Sequence, residues 1–174
     1  MLCACRWPIT HKAGPEELEL TGRWAHLQVR GLHLMQMIVP LRSSGQKWEF
    51  HRQVVNEMRR MSSEPAVCFG DTNSGVPGVD ETGSYFNKRE VDWFSAIQES
   101  GWIDAWRSRN PGAREYTWYH NSGNGFRLDQ VFTPTAFECY INQVRYDWGQ
   151  GGRDAKLSDH AAIIFDVDEI ESTN

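Results

Sequence analysis

Long apolar runs are missing from this sequence. Nothing in it approaches the ~18 consecutive residues of a membrane-spanning helix, so no membrane span is expected. The opening stretch, Met1-Leu2-Cys3-Ala4-Cys5-Arg6-Trp7-Pro8, breaks off too soon for a secretory signal. Cysteine is scarce, with four among 174 residues, and Cys3, Cys5, Cys68 and Cys139 form no Cys-x-x-Cys pair. That argues against a zinc site or a disulfide scaffold. It predicts reduced, buried thiols in a cytoplasmic protein. Basic charge is also short: 18 Lys and Arg against 23 Asp and Glu leave a net charge of −5. A protein that lives on non-specific contacts to a nucleic-acid backbone is usually basic. If this chain handles nucleic acid, a local site must do it. Internal repeats and low-complexity tracts are absent.

What is present reads as one globular domain, residues 1–174, with a core from about 4 to 168. Hydrophobic residues make up 40% and charged residues 24%, which suits a folded domain rather than a disordered chain. Residues 24–30 and 32–39 are two apolar strands separated only by Gly31, hence a hairpin. Residues 46–61 repeat apolar positions at Phe50, Val54, Met58 and Met61, one face of a helix. The short apolar run 66–69 predicts a buried strand leading into a polar, glycine-bounded loop. Asn87 with Glu90 three residues on has the form of a capping box. The helix it opens should turn Val91, Phe94 and Ile97 inward and stop at Gly101. Residues 126–132, 139–146 and 161–167 read as strands, with a polar loop at 148–154 expected to be mobile. Helices mixed with hairpin-like strand pairs predict α+β layers around a largely antiparallel sheet.

Three polar clusters stand at the ends of apolar strands: Asp71 and Asn73, then Arg127 and Asp129, then Ser158-Asp159-His160. Loops at strand ends are where functional side chains concentrate on a rigid scaffold. Carboxylates supply ligands for hard cations, and an Asp–His pair fixes the imidazole tautomer and favours its charged form. Each cluster also has an ordinary reading. Gly-Asp-x-Asn is a good turn after a strand, a lone Asp on a strand is often solvated, and a lone His is often packed. Arg107, Arg109, Arg114 and Arg127, interleaved with Trp106, Trp118 and Tyr119, suit phosphate contact plus base stacking. They equally suit solvated arginines over an aromatic core edge.

Taken in order, Gly70-Asp71-Thr72-Asn73, Arg127-Leu128-Asp129-Gln130-Val131 and Ser158-Asp159-His160-Ala161-Ala162-Ile163 resemble the motifs of the endonuclease/exonuclease/phosphatase superfamily, the family of exonuclease III and deoxyribonuclease I. The stretches 101–107 and 116–119 are similar to the family's link between the motifs. Two departures stand out. The early Asn and Gln-Glu motifs of the family do not precede Cys3, so the chain resembles a member lacking roughly its first third. Ile38-Val39-Pro40 also stands where members often carry His-Val-Pro.

The resemblance implies a four-layer αββα sandwich of the deoxyribonuclease I type, N-terminally incomplete. It implies a divalent-metal-dependent phosphoesterase of nuclease or phosphodiesterase character. Asp71, Asn73, Asp129 and His160 would be catalytic, with His160 as general base or phosphate partner oriented by Asp129, and Asp71 acting on the water. Asn73 would bond the phosphate or the Asp71 carboxylate. Asp159 would help hold Mg²⁺ or Mn²⁺, and Arg127 and Trp118 would bind substrate. The partner is then a phosphate ester, with nucleic acid among the candidates. Self-association through an uncovered sheet edge is a second expectation. The competing reading is a truncated, catalytically weak or inactive domain that acts as a binding or interaction module.

Overall fold

The computed structural model describes residues 3–155 and 157–169. In chain order the regular elements are β1 (Thr10–His11), α1 (Glu16–Glu19), β2 (Trp24–Val29), β3 (Leu32–Ile38), α2 (Lys47–Arg60), β4 (Ala66–Asp71), α3 (Lys88–Glu99), β5 (Trp102–Asp104), α4 (Ala105–Arg109), β6 (Trp118–Tyr119), β7 (Gly125–Phe126), β8 (Asp129–Pro134), β9 (Ile141–Asp147) and β10 (Ala162–Val167). Six strands form the main sheet in the order β1-β2-β3-β4-β8-β5. Its pairings are antiparallel except β3 with β4, which run parallel. The parallel pair follows from α2, which carries the chain back across the sheet between them. A second sheet pairs β9 with β10, and a third pairs β6 with β7.

The layers follow from alternation along the central strands. Met35, Met37, Ala66, Cys68 and Phe132 point to one face, where Phe50, Val54, Met58 and Met61 of α2 and Trp93 and Ile97 of α3 cover them. Val67 and Val131 point to the other, against Ile141, Val144 and Tyr146 of β9, with Phe69 and Ile163 partly buried beside them. Each large apolar side chain buried this way contributes roughly 1.5–3 kcal/mol. The result is a helical layer, a broad sheet and a narrower second sheet, the expected order of a sheet sandwich.

Local chemistry places the element ends. The β2–β3 hairpin turns on Arg30 at φ 50° and Gly31 at φ 86°, the two positive values a two-residue type I′ turn requires. The capping box is present: Arg89 N donates to Asn87 Oδ1 at 2.9 Å and Asn87 N donates to Glu90 Oε2 at 3.1 Å.

Four expectations need correction. The inward face of α3 carries Glu90, Trp93 and Ile97, whereas Val91 is exposed. Trp93 reaches further than Val91 and donates its indole N–H to His51 O at 3.2 Å. The single strand expected over 126–132 is two, β7 and β8, because Arg127 N turns aside to the Asp80 carbonyl. Of the cysteines only Cys68 is buried, and Cys3, Cys5 and Cys139 are exposed. The loop expected at 148–154 contains a turn of 3₁₀ helix over Gly152–Ala155. No described helix is long and apolar enough to cross a membrane.

Gly70 marks the tightest approach in the sheet. Its φ is +133°, and a Cβ placed there would lie 2.1 Å from the Met37 carbonyl oxygen. Only glycine fits a strand that close to its parallel neighbour. Gly70→Ala is therefore expected to cost about 3 kcal/mol, from backbone strain and overpacking together. Urea denaturation measures it, and a loss below ~1 kcal/mol would show that β3 and β4 can separate cheaply.

Candidate functional site

The register of the main sheet assembles the site. Asp71, the last residue of β4, sits opposite Ile38 of β3 on one side and Asp129, the first residue of β8, on the other. Asp71 shares its parity with Val67 and Phe69, and Asp129 shares that of Val131, so both carboxylates stand on the face toward the second sheet. The chain re-enters that face at His160, whose backbone bridges Trp118 just before β10 begins.

His160 Nδ1 donates to Asp129 Oδ2 at 2.7 Å. Asp129 is held in turn by its backbone: its N donates to Thr117 Oγ1 at 3.1 Å, and its O accepts from Tyr146 Oη at 2.8 Å. With Nδ1 committed, Nε2 of His160 is the nitrogen left for a substrate or water. Burial opposes charge on this imidazole, but the Asp129 hydrogen bond and charge, with Asp71 and Asp159 adding to them, raise its pKa above the ordinary 6.5.

Asp71 is gripped by Asn73. The Asn73 backbone N donates to Asp71 Oδ1 at 2.9 Å, and Asn73 Nδ2 donates to Asp71 Oδ2 at 3.1 Å and to Val39 O at 2.8 Å. Both amide hydrogens of Asn73 are thus engaged, so of its two expected roles the geometry favours orienting the carboxylate over donating to a phosphate. Asn73 adopts φ 43° to do this, a conformation asparagine tolerates better than most residues. Burial and the neighbouring Asp129 charge push the Asp71 pKa up from 3.8 to about 6, against the pull of Asn73, His160 and Lys47.

Two clefts meet at this point. The larger, of about 790 Å³, is walled by Tyr85, Phe86, Trp118, Phe126 and Leu128, with Arg23 and Arg42 on its lining. The smaller, of about 430 Å³, runs past Phe69, Asp129, Ser158 and Ile163. Asp71, His160 and Ile38 line both. Trp118 stands in the larger wall with its ring centroid 6.4 Å from that of His160.

Arg127 is not placed to bind substrate. Its side chain is 1% exposed. Its Nε donates to Asp80 Oδ1 at 2.7 Å and its Nη2 to Asp104 Oδ2 at 2.6 Å. A guanidinium already neutralised by two carboxylates has no free face for a phosphate. It serves the site indirectly, since Nη1 donates at 3.3 Å to the Tyr146 hydroxyl that supports Asp129. The other arginines of that segment are structural too. Arg107 pairs with Asp80 at 2.6 Å, Arg109 pairs with Glu138 at 2.8 Å, and Arg114 donates to Gly78 O at 2.8 Å.

Without substrate oxygens the donor set offers few ligands to a metal ion. Among the described residues no three His, Cys, Asp or Glu side chains come together as a metal site. Asp71 and Asp129 direct oxygens to Asn73 and His160, and Asp159 is exposed. Several supporting residues escaped the sequence reading: Thr117, Tyr146, Arg42, and Lys47 with His51. The last two share a spacing of four on α2, a signal that was there but lay beside the apolar face.

The Asp71 shift carries a sign. A carboxyl with its folded pKa raised binds its proton more tightly when folded, so stability falls as pH rises from about 4 to about 6. An amide escapes this. The stability of Asp71→Asn relative to the parent should therefore move in the variant's favour by about 2 kcal/mol between pH 4 and pH 7. Parallel urea titrations at both pH values check it, and a pH-independent difference would contradict the assigned burial. The His160–Asp129 pair acts in the same sense: its stabilisation is complete below 6.5 and is lost as pH rises through the raised His160 pKa.

No protein-family model and no curated protein matches this sequence. Solved structures do match it in fold. A 3′ phosphatase, NExo, from Neisseria bound to a product DNA hairpin superposes with a TM-score of 0.73 at 20% identity, over 84% of this chain and 65% of that one. A 3′-5′ exonuclease, NExo, from Neisseria meningitidis gives 0.71 at 20% identity over the same shares. An AP endonuclease from Archaeoglobus fulgidus gives 0.78 at 19% identity, over 91% of this chain and 70% of that one. The chain thus spans about 65% of the length of the two Neisseria structures. It shares the fold of these three structures, a deoxyribonuclease I-like sandwich.

Proposed function

We propose that this domain hydrolyses a phosphate ester, with His160 and Asp71 acting from opposite sides of the reacting phosphorus. The observation that carries this reading is the 2.7 Å Asp129–His160 pair beside an Asp71 whose pKa lies near 6. A carboxylate shifted toward neutrality and an oriented imidazole are the complementary proton-transfer groups that hydrolysis of a phosphate ester uses. Asp71 takes the proton of the attacking water while Asn73 fixes its oxygens; as the water oxygen bonds to phosphorus the ester P–O bond breaks, and the leaving oxygen takes its proton from solvent. His160, charged through its bond to Asp129, donates Nε2–H to a phosphate oxygen and stabilises the charge that builds there. Trp118 offers its indole face to a planar substituent of the substrate in the larger cleft.

One structural neighbour is a 3′ phosphatase bound to a product DNA hairpin, and the others are by name an exonuclease and an AP endonuclease; this supports a phosphodiester of nucleic acid as the substrate class. Mg²⁺ or Mn²⁺ is proposed to enter with the substrate's phosphate oxygens, since Mg²⁺ is commonly held by few carboxylates plus substrate. Self-association is proposed at the second sheet, where among the described residues β10 pairs only with β9 and an unpaired strand edge is a template for another chain. One observation favours the alternative of a weakly catalytic phosphate-binding module. An apolar Ile38 lines both clefts beside Asp71, where a donor to phosphate would otherwise fit.

The test is hydrolysis of bis(p-nitrophenyl) phosphate and single-stranded DNA, with and without Mg²⁺ and with chelator. His160→Ala and Asp71→Ala should each lower turnover by about 10²–10⁴-fold. Turnover unchanged by both substitutions would place the chemistry elsewhere. Phosphate-ester binding without turnover would favour the binding module.

A further inference from the structure

Beneath the Asp71 loop lies a charge cluster whose buried members, Lys47 and Glu90, line neither cleft, while Arg42 reaches the larger one. Lys47, the first residue of α2, is 1% exposed, and Glu90 of α3 is fully buried. Lys47 Nζ donates to Glu90 Oε1 at 3.0 Å and to the Asn73 carbonyl at 2.7 Å. The same Glu90 oxygen accepts from Arg42 Nη2 at 2.7 Å. One turn along α2, His51 Nε2 lies 3.1 Å from Ser74 Oγ. Two consecutive loop residues are therefore held from one face of one helix.

We propose that Lys47 is a positioning residue for the hydrolysis, holding the Asn73 peptide so that Asn73 can aim the Asp71 carboxylate; the catalytic part of this inference rests on the function proposed above. Asn73 sits at φ 43°, a conformation that persists in a residue with a side chain only when its surroundings over-determine it. Its backbone N and side chain are committed to Asp71 and Val39. Its backbone carbonyl is left for a further hold, and Lys47 takes it. A buried Lys–Glu pair is a poor source of stability, because an apolar pair of similar volume often does as well. Geometry at the loop is what an apolar pair could not supply. Lys47 also places a positive charge near Asp71, one of the influences that lowers the Asp71 pKa against burial.

The experiment uses Lys47→Met and the double variant Lys47→Met/Glu90→Gln, which removes both buried charges, leaves the partly exposed Arg42 to solvent and to the amide oxygen, and keeps an acceptor for the Asn87 cap. Each is assayed for kcat and KM on bis(p-nitrophenyl) phosphate, for melting temperature, and for amide exchange over 71–75. Both variants should lose kcat by about 10²-fold, the scale of a small misplacement of a reacting group. KM should stay within about twofold, because Lys47 touches no substrate. Exchange over 71–75 should quicken while that of the α2 interior stays as in the parent. A double variant that melts like the parent and recovers parental kcat would overturn the proposal and make the cluster purely structural. If the parent chain hydrolyses nothing, exchange decides alone. Quickened exchange over 71–75 then upholds the positioning role while the proposed function falls, and unchanged exchange overturns the positioning role.

Discussion

The pairing of β4 with β8 is the constraint on which the site depends. It sets Asp71 beside Asp129, and Gly70 lets β4 lie close enough to β3 for that pairing to sit in the middle of the sheet. Because side chains alternate along a strand, a slip of one residue would turn either carboxylate to the helical face. The apolar pattern prevents the slip. Val67 and Val131 must face the second sheet while Cys68 and Phe132 face the helices, so the core that stabilises the sheet also specifies where the carboxylates go.

Two carboxylates placed side by side repel, and the surrounding residues resolve the repulsion unequally. Asp129 has His160 as its partner and a backbone fastened to Thr117 and Tyr146. Asp71 has only neutral donors from Asn73, and partial burial with the Asp129 charge beside it raises its proton affinity. The asymmetry comes from environment alone, since the two side chains are identical. It divides one acid pair into a group that charges an imidazole and a group that can exchange a proton near neutral pH.

The supporting layers are ionic as well as apolar. Asp80, buried completely, takes Arg127 and Arg107, and Glu90 takes Lys47 and Arg42. These clusters flank the site, one under Asp129 through Tyr146 and one under Asp71 through Asn73. Neither is visible as a motif, because the members are far apart in sequence: Asp80 and Arg127 are 47 positions apart, and Lys47 and Glu90 are 43.

Sequence alone was sufficient where the governing physics is local. The β2–β3 hairpin, the buried stripe of α2 and the Asn87–Glu90 capping box each depend on residues a few positions apart, and each was readable. Ordered motifs at strand ends also single out Asp71, Asn73, Asp129 and His160 as candidates, although nothing local shows that Asp129 and His160 meet. Only the tertiary structure decided what depends on distant partners. Period-two alternation offered Arg127 a face but could not reveal that Asp80 and Asp104 would occupy its guanidinium. Asp159, adjacent to His160 in the motif, is exposed but lies near enough to raise the His160 pKa. Lys47 carries no signal in the sequence, and its burial comes from Glu90 of α3 and the Asn73 carbonyl closing over it. A chain encodes its periodicity residue by residue, but which charge neutralises which is settled only when the layers pack.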